Sequence, residues 1–563
     1  MTVDNKETIT EALKLHQSGS WDLAQLEYRK ILDRDFYHPQ ANYLLGILLS
    51  QKKAYYKSTV LLERALPYQK DNADLFNALS INHQKTGDYQ KALEYIDAAL
   101  DLNPTSCHFH HRKSKILIDQ KQIRNAIVQA QIAINLNYDF IEAYLTIAHC
   151  HQLLGRPNRA VKFLKNALKK IKNKHQKIFV NLINLHIELM QYQKAQTILN
   201  ILAKNSLFTS ERLGLQAVIH RELNQPNKSL DCLTGALQED ANNIIARWNL
   251  CLLYLKDKSF NNGWPLYDLG FAVRQRHLKT YKNIPTWKGE PLQQKDILIF
   301  NEQGIGDEIM FSRYYPSIYS QSALCTIICD PKLVEIFTHS HPEAEFLDYQ
   351  APINKNQTYD YVINAGSIPQ YVDSSNLTTV SLNIPQQHKR QISIHKNNQR
   401  LNIGFSWKGG IDYKDKIRRS THIRNWQALL DLPGCHFWCL QRGVTEQDKK
   451  LLNKFTMNNI SYLEDNELNS DLNLVVTVIE QMDLIITVDN TIAHLSGALG
   501  MKTWCLLPFC ADWRWTFNDV KSYWYNDVEL IRQKAPRDWD SAIEQARNKL
   551  YQLVQAKSLE KFT

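Results

Sequence analysis

A small residue recurs along the first half of the chain at Ala24, Ser58, Ala92, Ala126, Ala160, Ala195 and Ser229, at steps of 34, 34, 34, 34, 35 and 34 residues. Such a period rules out most folds. A unit of this length cannot bury its own apolar face and must stack on a neighbour. The third unit shows the plan: Phe76, Leu79 and Ser80 on a first helix, Gly87-Asp-Tyr at the turn, then Ala92, Ile96, Ala99 and Pro104. The small residues let helices approach closely and the glycine permits the turn. The pattern predicts seven helix pairs over about Thr8 to Asn243, an α-solenoid with a concave groove. Units four to six lack the closing proline but keep the phase. Stripes such as Tyr89, Leu93 and Ile96 read as core. The polar residues Asn77, Asn82, His110, His111 and Asn181 on first helices are the candidates for contacting a captured protein, although histidines there also fit a solvated surface.

The period and its internal pattern resemble the tetratricopeptide repeat. Ile244 to Leu255 reads as one more first helix, and Phe260 to Gly270 as a modified partner whose Trp264 and Tyr267 cover the last apolar face. The array with its cap is assigned to residues 1–270. The basic, proline-punctuated residues 271–295 form a linker, which we expect to dock the array instead of tethering it freely. Short β runs alternating with helices follow, and they predict a first α/β lobe over 296–385. Its strands fall at 297–300, 324–329, 344–347 and 361–364, with a helix over 309–320. The polar stretch 386–400 reads as a connection, and 401–563 as a second lobe with strands at 401–406, 436–440, 484–488 and 503–507. A helix from Trp539 to Val554 is expected to brace the first lobe.

Charge excludes little. Net +10 is modest for 563 residues, and with no long basic run a nucleic-acid role is not favoured. The N-terminus lacks the plan of a signal peptide, and no run of about 18 apolar residues occurs. We therefore expect a cytoplasmic protein without a transmembrane segment. The ten cysteines include no CxxC pair and read as buried free thiols.

The chemistry concentrates in three places. Asn301-Glu-Gln-Gly-Ile-Gly-Asp-Glu308 is a glycine loop after a strand. Ser406-Trp-Lys-Gly-Gly410 ends another. Ile485-Ile-Thr-Val-Asp-Asn-Thr-Ile-Ala-His494 runs from a strand through a turn into a helix, which aims backbone N–H groups and a helix dipole at one point, as a phosphate requires. With Gly497-Ala-Leu-Gly500, these motifs resemble GT-B glycosyltransferases related to bacterial heptosyltransferases. With the array in front, the plan is similar to bacterial tetratricopeptide glycosyltransferases, protein O-GlcNAc transferase and flagellin-modifying enzymes.

The resemblance implies two Rossmann-like lobes around a nucleotide-sugar donor, a protein acceptor, and a site that works with neither metal nor cofactor. It makes Asp307 the candidate base that takes the acceptor's proton, with Glu302 and Glu308 as weaker alternatives; capping of the following helix is the competing reading of Asp307. Gly304 and Gly306 would admit the donor. Thr491, His494 and Asn490 would meet the diphosphate, Asp489 would orient the turn or accept a hydroxyl, and Gln441 would sit near the base. A helix terminus gives an anion only about 0.3–2 kcal/mol, so cationic side chains must add to it. Lys408 leads, with Arg418 and Arg419 behind it, and a solvated lysine is the alternative. Arg514, between Trp513 and Trp515, either pairs with phosphate or belongs to an aromatic cluster that pins the C-terminal helix. Asn490 and Thr491 depart from the heptosyltransferase pattern, so ADP-heptose is not carried over as donor. Three functions follow: O-glycosylation of Ser or Thr on flagellin or another surface protein, glycosyl transfer to a lipid-linked glycan, or a repeat scaffold with an inactive transferase-like half.

Overall fold

A computed structural model describes residues 4–171, 175–203, 209–281, 283–350, 357–373, 377, 379–384, 394, 400–410, 413–455, 459–463 and 471–559. The predicted inter-lobe connection, 386–400, therefore lies outside the described residues except for Ile394 and Arg400. The chain forms two compact units, Met1–Leu189 and Met190–Thr563, and the division falls between the two helices of the sixth repeat.

In the first unit, helices alternate in pairs: Asp4–Gln17 with Trp21–Arg34, Pro39–Gln51 with Tyr55–Ala65, Ala73–Thr86 with Tyr89–Leu102, Cys107–Asp119 with Ile123–Leu136, and Ile141–Leu153 with Pro157–Lys170, followed by Gln176–Glu188. The periodic small residue is the packing point. Ala24, Ser58, Ala92, Ala126 and Ala160 are fully buried against their partner helices. Where serine replaces alanine, its hydroxyl is satisfied by a carbonyl twelve residues earlier: Ser58 Oγ donates to Gly46 O at 2.6 Å and, in the second unit, Ser229 Oγ to Ala217 O at 2.9 Å. A buried hydroxyl is tolerated here because it finds that acceptor.

Two of the groove candidates are placed otherwise. Asn82 has no exposed surface; its Oδ1 accepts from Ser50 Oγ at 2.7 Å and its Nδ2 donates to Ser58 Oγ at 2.8 Å. It locks the second repeat to the third and cannot touch a partner. His110 turns toward the second helix of its own repeat, with Nδ1 at 2.8 Å from Gln129 Oε1 and Nε2 at 3.0 Å from Pro104 O. His111 stays half-buried on the first-helix face, bonded to Thr146 Oγ1 at 3.0 Å, and burial holds its imidazole down at about 4, hence neutral. Asn77 and Asn181 are half-buried there, and Asn181 Nδ2 donates to Lys177 O.

The second unit begins with Tyr192–Leu202, Thr209–Glu222 and Pro226–Glu239, then Ile244–Lys256 and the cap Phe260–Tyr267. Trp264 and Tyr267 are buried, but in one core that also holds Phe311 and Trp513 of the α/β half. The presumed linker is built in: Trp287 N donates to Val362 O and Val362 N to Pro285 O, both at 2.9 Å, and Arg276 is buried.

Both sheets are wholly parallel. Strands β1 (Asp296–Phe300), β2 (Leu324–Cys329), β3 (Glu345–Asp348) and β4 (Tyr361–Asn364) lie in the order β3-β2-β1-β4. Strands β5 (Leu401–Ser406), β6 (Cys435–Cys439), β7 (Ile460–Tyr462), β8 (Leu484–Val488), β9 (Thr503–Leu507) and β10 (Val528–Arg532) lie in the order β10-β9-β8-β5-β6-β7. Near-continuous apolar runs such as Leu484-Ile-Ile-Thr-Val488, buried throughout, are what strands covered on both faces need. The Thr503 strand is not the last of its sheet, because β10 pairs with it. The C-terminal helix, Trp539–Leu559, braces the second lobe and not the first: Ala542, Ile543, Ala546 and Leu550 enter that lobe's core. Residues 380 and 382, assigned to the first lobe, hydrogen-bond to Trp524 O and Ala498 O of the second.

Replacing Asn82 by Ala takes the acceptor from Ser50 Oγ and the second bond from Ser58 Oγ, which keeps Gly46 O, and should cost about 1–3 kcal/mol. Thermal unfolding followed by circular dichroism is expected to show a lowered transition; an unchanged one would make Asn82 a surface residue after all.

Candidate functional site

A cleft of about 1170 Å³ opens between the carboxyl ends of the two sheets, where the order of each reverses. In the second sheet that point lies between β5 and β8, whose ends are tied by Ser406 Oγ and Thr487 Oγ1 at 2.5 Å. Of the residues singled out by sequence, Asp307, Gly304, Gly306, Lys408, Gln441, Asp489, Asn490, Thr491, His494 and Arg514 all line it.

The glycine loop is shorter than its sequence implies. The helix after β1 begins at Ile305, not Ile309, so Gly304 is its N-cap and Asp307 sits in its first turn. Asp307 Oδ2 accepts from Gly304 N at 3.3 Å, which gives it the capping function, while Oδ1 is taken by Arg514, at 2.6 Å from Nε and 2.5 Å from Nη2. Both carboxylate oxygens are engaged. Gly306 is required by proximity: a Cβ there would come within 2.7 Å of the His494 ring.

Arg514 is the hub of the cleft. Its Nη1 meets Asp512 Oδ1 at 2.5 Å, its Nη2 lies 3.4 Å from Gln303 Oε1, and it stands over the Trp513 ring at 4.7 Å. Burial alone would push the Asp512 carboxyl up, but Arg514 and then Arg419 outweigh it and hold it down at about 2. Asp512 escaped sequence reading, although an Asp-Trp-Arg turn with a capping aspartate was there to be noticed.

The strand-to-helix turn at Asp489 to His494 is less open to an anion than its sequence implies. Asn490 caps the helix itself, its Oδ1 accepting from Ile492 N at 2.9 Å and Ala493 N at 3.4 Å, while its Nδ2 donates to Ser406 Oγ at 2.9 Å and Lys408 O at 3.1 Å. That side chain is spent on positioning, and so are two of the N–H groups expected to meet a phosphate. Gln441 is likewise a brace: its Oε1 accepts from Trp407 N and Lys408 N at 3.0 and 2.8 Å. Gly409 must be glycine, since a Cβ would fall 2.3 Å from Asp489 O. His494 brings no charge; burial pushes it down to about 4, and its Nδ1 is 2.8 Å from Tyr525 Oη.

Countercharge therefore rests on side chains, and most of it is already matched. Lys408 Nζ lies 2.5 Å from Asp448 Oδ2 and Arg419 Nε 3.4 Å from Asp489 Oδ2. Arg418 faces away, toward Glu222 of the array's last full repeat at 2.7 Å, which removes it from the anion-binding candidates, whereas Arg419 lines the cleft. Lys416 and Arg442 line it too, and nothing in the sequence singled them out. The alternative bases are set back. Glu302 is buried in an ion pair with Arg276 at 2.8 Å. Glu308, which burial raises to about 7, is held by Tyr349 Oη and by Asp330 N at 2.9 Å. Among the described residues no group of three His, Cys, Asp or Glu side chains is placed to hold a metal ion, and no helix is long and apolar enough to cross a membrane.

The His494 imidazole gives a pH signature. The unfolded chain takes up its proton near 6.5 and the folded chain near 4, so this group's contribution to stability is whole above about 6.5 and is lost as pH falls toward 4. Glu308 works in the opposite sense, its contribution present below 4.5 and lost as pH rises through about 7. His494→Gln should thus shrink the stability gained between pH 5 and pH 7 by about 2 kcal/mol, read from denaturant midpoints across that range. An unaltered pH dependence would place the imidazole in water.

Comparison with known proteins bears on the array. Residues 73–106 and 141–169, the third and fifth units, match descriptions of the tetratricopeptide repeat. The first part of the chain is thus an α-solenoid of tetratricopeptide repeats, a fold that binds protein partners. Protein FlbA of Caulobacter vibrioides is 23% identical over 302 residues, 49% of this chain and 50% of FlbA, so the chain spans about half the length of the curated relative it matches. Among solved structures, MamA is 21% identical, covering 28% of this chain and 93% of its own with a TM-score of 0.27. A tetratricopeptide repeat protein from Parabacteroides merdae is 14% identical, with 44% and 98% covered and a TM-score of 0.37.

Proposed function

We propose that the α/β half is a GT-B glycosyltransferase which moves a sugar from a nucleotide-activated donor to a hydroxyl of a protein captured by the array, flagellin or another surface protein among the acceptors. The observation that carries this reading is the cleft. Two parallel sheets present their carboxyl ends to one space large enough for a nucleotide sugar, with the Asp307 carboxylate on one wall and arginines and lysines on the other.

In this reading the acceptor oxygen attacks the anomeric carbon and its proton passes to Asp307. The bond from that carbon to the phosphate oxygen breaks, and the nucleotide leaves with the electron pair. Arg514 links the two halves of the step. While it holds Asp307 Oδ1 that oxygen is occupied; a donor diphosphate, richer in charge, draws the guanidinium away and frees it. The donor should then bind before the acceptor. Arg419 and Lys408 add countercharge, and Asn490 and Gln441 hold the strand ends.

The Asp307–Arg514 pair also favours a second reading, a scaffold whose transferase-like cleft has closed on itself. Nucleotides separate the two. A ligand at a hundred times its Kd stabilises the folded chain by about 2.7 kcal/mol, so a thermal-shift panel of UDP, GDP, ADP, CMP and dTDP compounds should yield one clear riser. A flat panel would leave the scaffold. With that nucleotide's sugar, Asp307→Asn is expected to keep the thermal shift and lose transfer by more than a hundredfold, scored by intact mass of a co-expressed acceptor. Arg514→Gln should lose both. Normal turnover in Asp307→Asn would remove that carboxylate from the mechanism.

A further inference from the structure

A thiol and an amine meet deep in the second unit. Cys510 follows β9, Lys256 ends the helix Ile244–Lys256, the two residues are 6% and 3% exposed, and Lys256 Nζ donates to Cys510 Sγ at 3.0 Å. A lysine this deep ordinarily faces a carboxylate. The nearby one is engaged elsewhere. Glu222 feels the charge of Lys256, but its oxygens are held by Arg418 at 2.7 Å, by Arg221 at 3.4 Å and by Tyr192 Oη at 3.4 Å. Among the described residues the direct partners of the amine are the sulfur and the face of the Phe517 ring, 4.5 Å from Nζ.

The sulfur is held as firmly. Cys510 Sγ donates to Arg221 O at 3.2 Å, and Arg418 Nη2 donates to Cys510 O at 3.3 Å. A cavity of about 90 Å³ opens on the pair, lined by Lys256 and Cys510 together with Asp415, Arg419, Asp489 and Asp512. Those last four residues also line the large cleft, so a solute of a few atoms that enters the cleft reaches the sulfur. A cation beside the sulfur and access for a small reagent are what separate reactive cysteines from inert ones. Cys150, Cys325 and Cys435 stand on the other side of that line. Burial pushes their thiols up to about 11, 12 and 12, which keeps them protonated and unreactive.

We propose that Cys510 and Lys256 form an oxidative modification site, at which a peroxide oxidises the thiol and the lysine amine then closes on the sulfur to give a covalent S–N bond, a sulfenamide. In the first step the thiol gives up its proton and the sulfur attacks one peroxide oxygen. The S–O bond forms as the O–O bond breaks, and the departing hydroxide is protonated to water; the sulfur loses two electrons and the peroxide gains them. In the second step Nζ, after losing a proton, attacks the sulfur of the sulfenic acid. The S–N bond forms as the S–O bond breaks, the hydroxyl group leaves as water, and no further oxidant is needed. Nζ already lies against the sulfur on a flexible four-carbon stem, so this closure is intramolecular and favoured over attack by a second molecule from solution. The product joins the helix Ile244–Lys256 to the segment that carries Asp512 and Arg514. It links residues 254 apart in sequence and restrains the unfolded chain as a disulfide would. The site stands on the thiol, the amine and the cavity, whatever chemistry the α/β half performs.

The test uses the full chain and needs no donor or turnover, so its failure is distinct from failure of the glycosyltransferase reading. The reduced protein is treated with hydrogen peroxide, quenched with catalase, alkylated at its remaining thiols and digested with trypsin for mass spectrometry. The peptide carrying Cys510 is expected to be joined to the one carrying Lys256, lighter by two hydrogen atoms than the separate peptides and released by dithiothreitol. Cys510 should escape alkylation about tenfold faster than Cys325 or Cys435. Lys256→Arg keeps a cation beside the thiol and removes the amine, so Cys510 should still oxidise, trapped as its dimedone adduct, with no link formed. Should that variant perturb folding, which circular dichroism melting would reveal, the digest of the unaltered chain decides alone. Persistence of the link in Lys256→Arg would overturn the proposal. So would a Cys510 that is still alkylated after the half-buried Cys107 has oxidised, one that stops at sulfenic or sulfinic acid in the unaltered chain, or a linked pair heavier by an oxygen atom.

Discussion

The second unit depends on one buried guanidinium. Arg276 directs Nε and Nη2 at Glu302 Oε1, at 3.0 and 2.8 Å, Nη2 also at Ser367 Oγ, and Nη1 at Asp268 Oδ1 and Tyr267 O, at 2.7 and 3.2 Å. Its flat faces lie 4.4 Å from the Tyr267 ring and 4.1 Å from that of Phe271. A charge placed this deep is tolerable only because its donors are answered; removing any one acceptor strands the rest at a cost of several kcal/mol. The partners come from three places: the cap of the array, the first turn after β1, and the turn after β4. The ends of β1 and β4 flank the point where the first sheet reverses. One side chain therefore fixes the array's end to the wall of the cleft on which Asp307 stands.

From there the polar chain continues to the cleft. Glu302 accepts from Gln303 Nε2 at 3.3 Å, and Gln303 Oε1 accepts from Tyr267 Oη at 3.3 Å and Arg514 Nη2 at 3.4 Å. Arg514 then reaches Asp307 and Asp512. The consequence is electrostatic: most of the countercharge in the cleft is stored in ion pairs before any ligand arrives. An anion entering it gains only the difference between the new contact and the old one, so affinity alone is a poor guide to what the cleft recognises. In the proposed reaction, exchange of partners, with Arg514 passing from Asp307 to the anion, would add more selectivity than a bare positive pocket.

Much of the fold was legible because it is periodic. Ala24 to Ser229 mark contacts that every unit must make in the same way, and apolar runs such as 484–488 can only be buried strands. What stayed hidden depends on neighbours remote in sequence. The three-residue β7 and the charged-ended β10 exist because a sheet edge is there to receive them. Residues 305–308 read as loop until Gly304 is seen capping a helix. What the sequence leaves open at these polar positions has one cause. Asn490, Gln441 and Asn82 are polar residues in the right places, and a sequence does not reveal whether a polar side chain faces outward to a ligand or inward to a backbone that needs it.

The helix Tyr413–Arg419 joins these themes. Arg418 reaches Glu222 of the helix Thr209–Glu222 at 2.7 Å, and its neighbour Arg419 reaches Asp489 at the cleft. Arg418 is held above its usual range first by Glu222, Arg419 by Asp489, so each pair is favourable as it stands. The two pairs thus anchor one short helix at the last full repeat and at the cleft. A displacement of the whole helix would alter both pairs together. Such a link is reciprocal by thermodynamic necessity. The same helix therefore joins the last full repeat of the array to a wall of the cleft.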